Sequence, residues 1–299
     1  MSLQKAEELL DEPGVTCPAC GNLTRSAAYR YLYRENVSRL LLCSTCSLEF
    51  LRPLPLAEIT QRRMDSVDDA ELFHSQVLRT LHHRLILQPE IRKVRKLLGK
   101  NDFSMLDIGC GTGWISRIWA ESGASVTGLE PSAPRAAIAR ERGLRVLSCY
   151  AEEMDGEERF DLIVIRHVIE HLEDPGEILR NLLPRLNPSG VLLVVVPNID
   201  CIGRKLFDTD WTWVLPWHCN FFNLKSLRVL LENRGFEVAS IYQTPSPLWY
   251  PESFARKFPR LGAFLGTTPL SMLLFAPVIA LGYLTGQSDN MTVFAQPKG

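Results

Sequence analysis

The 299-residue sequence carries almost no excess charge, with 33 basic against 34 acidic side chains and a formal net charge of −1. A chain that depends on phosphate contacts is usually far more basic, so nucleic acid becomes an unlikely partner. The first segment, Met1–Asp11 (MSLQKAEELLD), lacks the apolar core of a signal peptide, and a cytoplasmic location is expected. No internal repeat or low-complexity tract is present, which excludes a solenoid or a disordered scaffold. Apolar residues at 46% and charged residues at 22% give an ordinary globular balance. A disulfide framework is also missing: four of the eight cysteines fall in two Cys-x-x-Cys pairs, a pattern better suited to metal.

What is there divides into three regions. Residues 1–58 hold the cysteine pairs and end in Arg52-Pro53-Leu54-Pro55, a stiff non-helical exit. Residues 59–103 are expected to form a helical linker or lid. Within them, Gln76–Lys100 carries apolar residues at Val77, Leu78, Leu81, Leu85 and Ile86, then at Ile91, Val94, Leu97 and Leu98. That spacing is helical, with Pro89 marking a break or a new start and Gly99 a C-cap. Residues 104–299 alternate strand and helix. The candidate strands are Met105–Ile108, Ser125–Glu130, Arg145–Leu147, Phe160–Ile165, Gly190–Val196, Phe236–Tyr242 and Met291–Ala295. This alternation predicts an α/β fold whose seven-stranded, mostly parallel sheet is covered on both faces. Ligands of such sheets bind at the carboxyl ends of the strands.

Leu106-Asp107-Ile108-Gly109-Cys110-Gly111-Thr112-Gly113 leads from the first of these strands into a helix. Glycines let the backbone turn sharply and approach a ligand, and a helix start offers free N–H groups. The loop is not a nicotinamide fingerprint. The third glycine position is Trp114 counted from Gly109, and Ser116 counted from Gly111. It is not a P-loop either, since no Gly-Lys-Ser/Thr follows. Glu130 ends the next strand, 21 residues after Gly109. A carboxylate there can accept both hydroxyls of a ribose.

Four ordered blocks carry a resemblance: LDIGCGTG, then GLEPS (Gly128–Ser132), then FDLIVIRHVIEHLEDP (Phe160–Pro175), then LNPSGVLLVVVPN (Leu186–Asn198). Together they resemble the class I S-adenosylmethionine-dependent methyltransferases, with a Rossmann-like sheet, over roughly Met105 to Pro297. The resemblance implies that Gly109, Gly111 and Gly113 cradle the methionine part of the cofactor. Asp107 would support its amine, Glu130 its ribose, and the Ala151 backbone its adenine edge. Cys110, Pro131, Glu152 and Arg166 complete the implied cofactor set. Many relatives have an Asp just before that alanine, where this chain has Tyr150. The adenine contact then falls to Glu152 or to the Tyr150 ring.

Cys17-Pro-Ala-Cys20-Gly and Cys43-Ser-Thr-Cys46 are separated by 22 residues between Cys20 and Cys43. Four thiolates from two such knuckles suit tetrahedral Zn²⁺, and a small segment with few apolar residues needs such a staple. A structural zinc ribbon with Cys17, Cys20, Cys43 and Cys46 as ligands is expected. A zinc module ahead of a methyltransferase resembles enzymes acting on sugars and related metabolites, and also some ribosomal RNA methyltransferases. Residues 1–58 carry six basic and seven acidic side chains, poor for an RNA clamp.

Methyl transfer to a hydroxyl is helped by a general base, and histidine is suited to that work near neutral pH. His167, Glu170 and His171 follow the fourth strand directly. The other informative stretch is Trp211-Thr-Trp213-Val-Leu-Pro-Trp217-His218-Cys-Asn-Phe221-Phe222, with three of the six tryptophans in seven residues. It is either a satellite core or an acceptor pocket with stacking surfaces. His218 is the first candidate base and His171 the second, with Glu170 beside them.

No charged residue occurs between Arg260 and Asp289. Pro269, Pro277 and four glycines in that stretch argue against a membrane span. An apolar helical insertion over 254–288 is expected, covering the core or touching a membrane interface through 261–288. The sequence therefore points to methylation, most simply O-methylation, of a sugar, a glycan precursor or a lipophilic small molecule. A zinc-ribbon rRNA methyltransferase and a non-catalytic cofactor-binding scaffold are the alternatives.

Overall fold

Short apolar runs with both faces buried build the centre of the protein. The computed structural model describes residues 2–5, 14–24, 27–33, 36–54, 80, 82–215, 217–245, 249–265 and 269–299. The first strands are short: β1 (Ser2–Lys5), β2 (Val15–Thr16), β3 (Leu23–Thr24), β4 (Ala27–Tyr33), β5 (Asn36–Leu42) and β6 (Glu49–Arg52). A wide helical turn over His83–Leu87 then runs into α1 (Gln88–Leu98). Pro89 sits in the first turn of α1, directly after the wide turn, and Gly99 closes the helix with φ 70°. Residues 76–79 and 81 of the expected helix lie outside the described residues.

The rest of the chain lays down β7 (Phe103–Ile108), α2 (Trp114–Glu121), β8 (Ala124–Leu129), α3 (Ala133–Glu141), β9 (Arg145–Leu147), β10 (Phe160–Arg166), α4 (Pro175–Leu182) and β11 (Leu186–Pro197). It continues with α5 (Ile202–Phe207), β12 (Asn220–Phe221), α6 (Leu224–Glu232), β13 (Phe236–Thr244), α7 (Trp249–Lys257), α8 (Pro259–Leu265), α9 (Pro269–Leu284) and β14 (Asn290–Pro297). All seven expected strands enter one sheet, in the order β13-β14-β11-β10-β7-β8-β9. β11, β10, β7, β8 and β9 are parallel, and β14 and β13 add antiparallel.

Alternate residues of the central strands face opposite cores, as the pleat requires. Leu106, Ile108, Ile163, Ile165, Leu192 and Val194 pack under α4 and α6. Met105, Leu162, Val164, Leu193 and Val195 pack under α1 and α2. Strands buried on both faces read as unbroken apolar runs, which is why LIVI and VLLVVV were legible. Chain order reverses between β7 and β10, which leaves a crevice at their carboxyl ends.

The N-terminal segment shares this core. Leu48 and Phe50 belong to the same cluster as Ile178, Phe222 and Leu227. β6 also pairs with β12, Asn220 opposite Phe50 and Phe221 opposite Glu49, so a strand from late in the chain completes the N-terminal sheet. The apolar insertion forms α7 to α9, leaving and rejoining adjacent antiparallel strands at one edge of the sheet. Among the described residues no helix is long and apolar enough to cross a membrane.

Candidate active site

The crevice between β7 and β10 has two walls. The first is the loop after β7. Gly109, Gly111 and Gly113 all have positive φ, at 68°, 59° and 76°. A Cβ on Gly109 would stand 2.6 Å from Val168, whereas one on Gly111 would meet nothing within 4 Å. The loop is thus tight behind Gly109 and open in front of Gly111, the shape of a cradle. Gly111 N–H donates to Glu130 Oε2 at 2.8 Å and Ser132 N–H to Oε1 at 2.9 Å. Burial pushes the Glu130 carboxyl up, against those two backbone donors. Each carboxylate oxygen keeps a further acceptor site for a hydroxyl.

Asp107 is buried at the end of β7 and accepts a hydrogen bond from Ser116 Oγ at 2.5 Å. Burial raises it to about 6, against the Ser116 hydrogen bond and the charge of Arg166. Arg166, at the end of β10, donates to the buried Glu90 Oε2 at 2.5 Å. Arg166 Nε and Ser132 Oγ are buried polar atoms with no partner among the described residues. Buried donors of this kind call for a bound group to satisfy them. The Cys110 thiol turns toward Gly128, where an added Cβ would lie 2.5 Å from its sulfur, so only its backbone borders the loop. Pro131 is half-buried between Glu130 and Ser132, Ala151 is buried, and Glu152 is exposed. The Tyr150 ring is 45% exposed, free to meet a flat ligand.

The second wall is the segment after β10. His167 takes a left-handed conformation, φ 53°, that a non-glycine residue adopts only under constraint. Its Nδ1 lies 3.3 Å from Glu170 Oε1, and its ring stacks on Trp213 at 4.9 Å and 8°. Glu170 is buried. Burial alone would raise it, but the His167 hydrogen bond and the charges of His171, His167 and His218 hold it at about 2. His171 Nδ1 lies 3.0 Å from the Trp217 carbonyl oxygen, to which it donates a hydrogen bond. His218 is buried, and burial followed by the charge of His171 lowers its pKa well below the ordinary value. The His171 and His218 rings meet edge to face at 4.7 Å.

The loop that carries His218 is tied to the β10 edge by Cys219 N–H donating to the Glu170 carbonyl (2.8 Å) and by Asn220 Nδ2 donating to the Leu172 carbonyl (2.6 Å). Leu51 N–H donates to the Cys219 carbonyl at 2.9 Å, so the N-terminal sheet braces the same loop. The aromatic stretch is mostly core. Trp211 and Phe221 are buried with Phe207 and Tyr250, and Phe222 enters the main core. Trp213 links that core to His167 and His218.

Away from the crevice, the four knuckle cysteines converge. Cys17 and Cys46 sulfurs stand 3.5 Å apart, as do Cys20 and Cys43, and all four lie within 4.8 Å of one another. Tetrahedral zinc with bonds of about 2.3 Å sets sulfurs about 3.8 Å apart. The two knuckles are built alike. Gly21 and Ser47 N–H donate back to the Cys17 and Cys43 carbonyls, both from positive φ. The donor set and its spacing fit a zinc ribbon.

Ser116 and Glu90 were missed by sequence reasoning. Ser116 had a weak signal, a small polar residue one turn into the helix after the glycine loop. Glu90 had none, since it acts on a residue 76 positions away.

The sheet order and the glycine loop are those of the class I S-adenosylmethionine-dependent methyltransferase fold. A family profile described as a methyltransferase domain matches residues 73–241, more than half of the sequence, and the chain belongs to that family. The chain is 34% identical over 132 residues to the ubiquinone biosynthesis O-methyltransferase of Bradyrhizobium sp. (strain ORS 278), covering 42% of this chain and 52% of that protein. It is 38% identical over 119 residues to the enzyme of the same name from Rhodopseudomonas palustris (strain BisA53), covering 38% and 47%. The chain thus spans about half the length of the curated relatives it matches. The solved 1,6-didemethyltoxoflavin-N1-methyltransferase of Burkholderia thailandensis, with bound 1,6-didemethyltoxoflavin and S-adenosylhomocysteine, superposes with a TM-score of 0.52 at 18% identity. The match covers 90% of this chain and 98% of that one. At that identity the likeness is one of fold.

Proposed function

We propose that this chain transfers the methyl group of S-adenosylmethionine to a hydroxyl oxygen of a small-molecule acceptor, a sugar, a glycan precursor or a lipophilic metabolite. The observation that carries this is the His167–Glu170 pair, with the His167 ring stacked on Trp213, on the segment whose Val168 packs against Gly109 of the glycine loop. The curated relatives, named as O-methyltransferases, support oxygen as the acceptor atom. When bound, the cofactor supplies an electrophilic sulfonium methyl, and little more than in-line alignment is needed.

The residues divide the work. Gly111 leaves room for the methionine portion, while Gly109 and Gly113 let the loop pack tightly against Val168 and against Leu144 and Ala139. Asp107, steadied by Ser116, faces the cationic amine, and Arg166, steadied by Glu90, faces the carboxylate. Glu130 accepts the ribose hydroxyls, and Tyr150 or Glu152 meets the adenine. On the acceptor side, His167 takes the hydroxyl proton on Nε2 while Glu170 holds the ring through Nδ1. His171 and His218 support this pair from behind. Burial makes His218 the poorest of the three histidines at receiving a proton from an acceptor. Cys17, Cys20, Cys43 and Cys46 would hold a structural Zn²⁺ that braces the His218 loop through β6. The setting is cytoplasmic, with peripheral membrane contact through 261–288 where the acceptor is lipophilic.

The test uses purified enzyme, methyl-labelled cofactor and a host extract divided afterwards into lipid, small-molecule, polysaccharide, RNA and protein fractions. Label in the lipid, small-molecule or polysaccharide fraction is expected. It should fall about 100-fold in His167→Asn. Label in RNA would replace this proposal with the ribosomal one, and cofactor binding with no label in any fraction would favour a scaffold.

A further inference from the structure

A surface helix in water carries a polar face, and a helix that is apolar all round belongs in a core or in lipid. Helix α9 has no charged residue on any side. Its inner side is accounted for. The Phe275 ring packs against Phe207, Tyr250 and Phe254 at 6.3, 6.1 and 5.7 Å. Its outer side is not. Leu273, Leu274, Leu281, Tyr283 and Leu284 are between 52% and 81% exposed. At 16 residues the helix is about 24 Å long, short of the roughly 30 Å hydrocarbon core, so it can lie on a bilayer without crossing it.

The charges carried by the segment itself, Ser253 to Ser288, are of one sign, while Lys257 Nζ also donates to the Leu206 carbonyl at 2.6 Å, two residues before Asp208. No aspartate or glutamate occurs between Glu252 and Asp289. The turn from α7 into α8 exposes Lys257, Phe258, Arg260 and Leu261 together. It joins α9 through a chain of rings: Phe258 to Phe254 at 5.1 Å, then Phe254 to Phe275. A second copy of the chain laid face to face would bring these cations together with no acid from this segment to pair them. Anionic lipid headgroups complement both features.

We propose that α9 and the Lys257–Leu261 turn form a docking surface for an anionic lipid bilayer, with α9 lying at the headgroup–acyl boundary. The surface leads toward the crevice. Behind α9, α7 begins with Trp249, which meets Trp213 at 5.0 Å, and Trp213 stacks on His167. An acceptor whose hydrocarbon tail stays in the bilayer would find an apolar, aromatic route to the base. This deepens the proposed function and rests on it for the identity of the acceptor, but the docking itself does not depend on turnover.

The experiment is flotation of the full chain, without cofactor, with vesicles of phosphatidylcholine alone or containing about 30 mol% phosphatidylglycerol. Binding to the anionic vesicles is expected, weakening at least fivefold as salt rises from about 0.1 M to about 1 M. Leu273→Glu with Leu281→Glu should reduce it at least tenfold. Lys257→Glu with Arg260→Glu, which leaves the helix intact, should reduce it about tenfold. The proposal is overturned if the full chain ignores both vesicles, or if both double variants bind like the parent. Light scattering that shows a dimer made monomeric by the Leu281→Glu pair would also overturn it, in favour of a second copy. Vesicle binding with all methyl label in the polysaccharide fraction would keep the surface and remove the lipophilic acceptor. Lipid label without vesicle binding would do the reverse.

Discussion

The two walls of the crevice are built in opposite ways. The glycine-loop wall is local: Asp107 to Ser116 is one uninterrupted stretch, and Glu130 follows on the next strand. Its geometry comes from backbone φ angles that only a few residue types reach easily. The histidine wall is assembled. His167 and Glu170 come from the end of β10, Trp213 and His218 from a loop about 45 residues later, and that loop is braced by β6 from near the start of the chain. A local site tolerates changes elsewhere, whereas an assembled site inherits every weakness of the elements that assemble it.

The comparison is sharpest at Gly111. Gly111→Arg would fill the cradle at a positive-φ position and should lower cofactor affinity about 1000-fold by calorimetry, about 4 kcal/mol. The histidine wall should keep its structure, read as unchanged packing around His167 and Trp213 by NMR. Glu170→Gln strikes the other wall. It removes the charge beside His167 and should lower kcat about 100-fold while leaving the cofactor Kd within about twofold. Equal losses in both quantities would mean that the walls are not separable.

Treatment with a chelator, or Cys43→Ser, removes the zinc proposed for Cys17, Cys20, Cys43 and Cys46 and tests the brace. Loosening β6 should free β12 and the His218 loop, lowering kcat about 30-fold with little change in cofactor Kd. Unchanged kcat would break the claim that the histidine wall depends on the ribbon. A smaller effect separates the walls by pH. Asp107 is raised to about 6, so it is protonated below that pH and ionised above it. Cofactor affinity should therefore rise about tenfold from pH 5 to pH 7 as the carboxylate gains its charge for the amine, and Asp107→Asn should flatten the rise. The sign for stability is opposite. The raised carboxyl favours the folded chain below its unfolded value of 3.8, and that contribution is lost as pH rises to about 6. The smallest change is expected at the adenine end. Tyr150→Ala should weaken the cofactor about fivefold if the exposed ring stacks on it, and Glu152→Gln should do so instead if the carboxylate makes the contact.

What the sequence by itself determined is what depends on neighbours along the chain. The central strands β7, β10 and β11 were legible because strands buried on both faces must be continuously apolar. The glycine loop, the acid after the next strand and the paired knuckles were legible because each is a short backbone device with its residues at fixed spacing. The helix start at Pro89 and its cap at Gly99 followed from the same local rules. Tertiary structure decided everything that joins distant segments. It turned most of the tryptophan stretch into core and left Trp213 alone against His167. It brought Glu90 to Arg166 and Ser116 to Asp107, and gave β6 to the loop that carries His218. It also left the outer face of α9 uncovered, although the composition of that helix suits a core equally well. The reason is physical: a hydrogen bond or a buried ring is specified by position in space, and spacing along the chain carries that position only within one element.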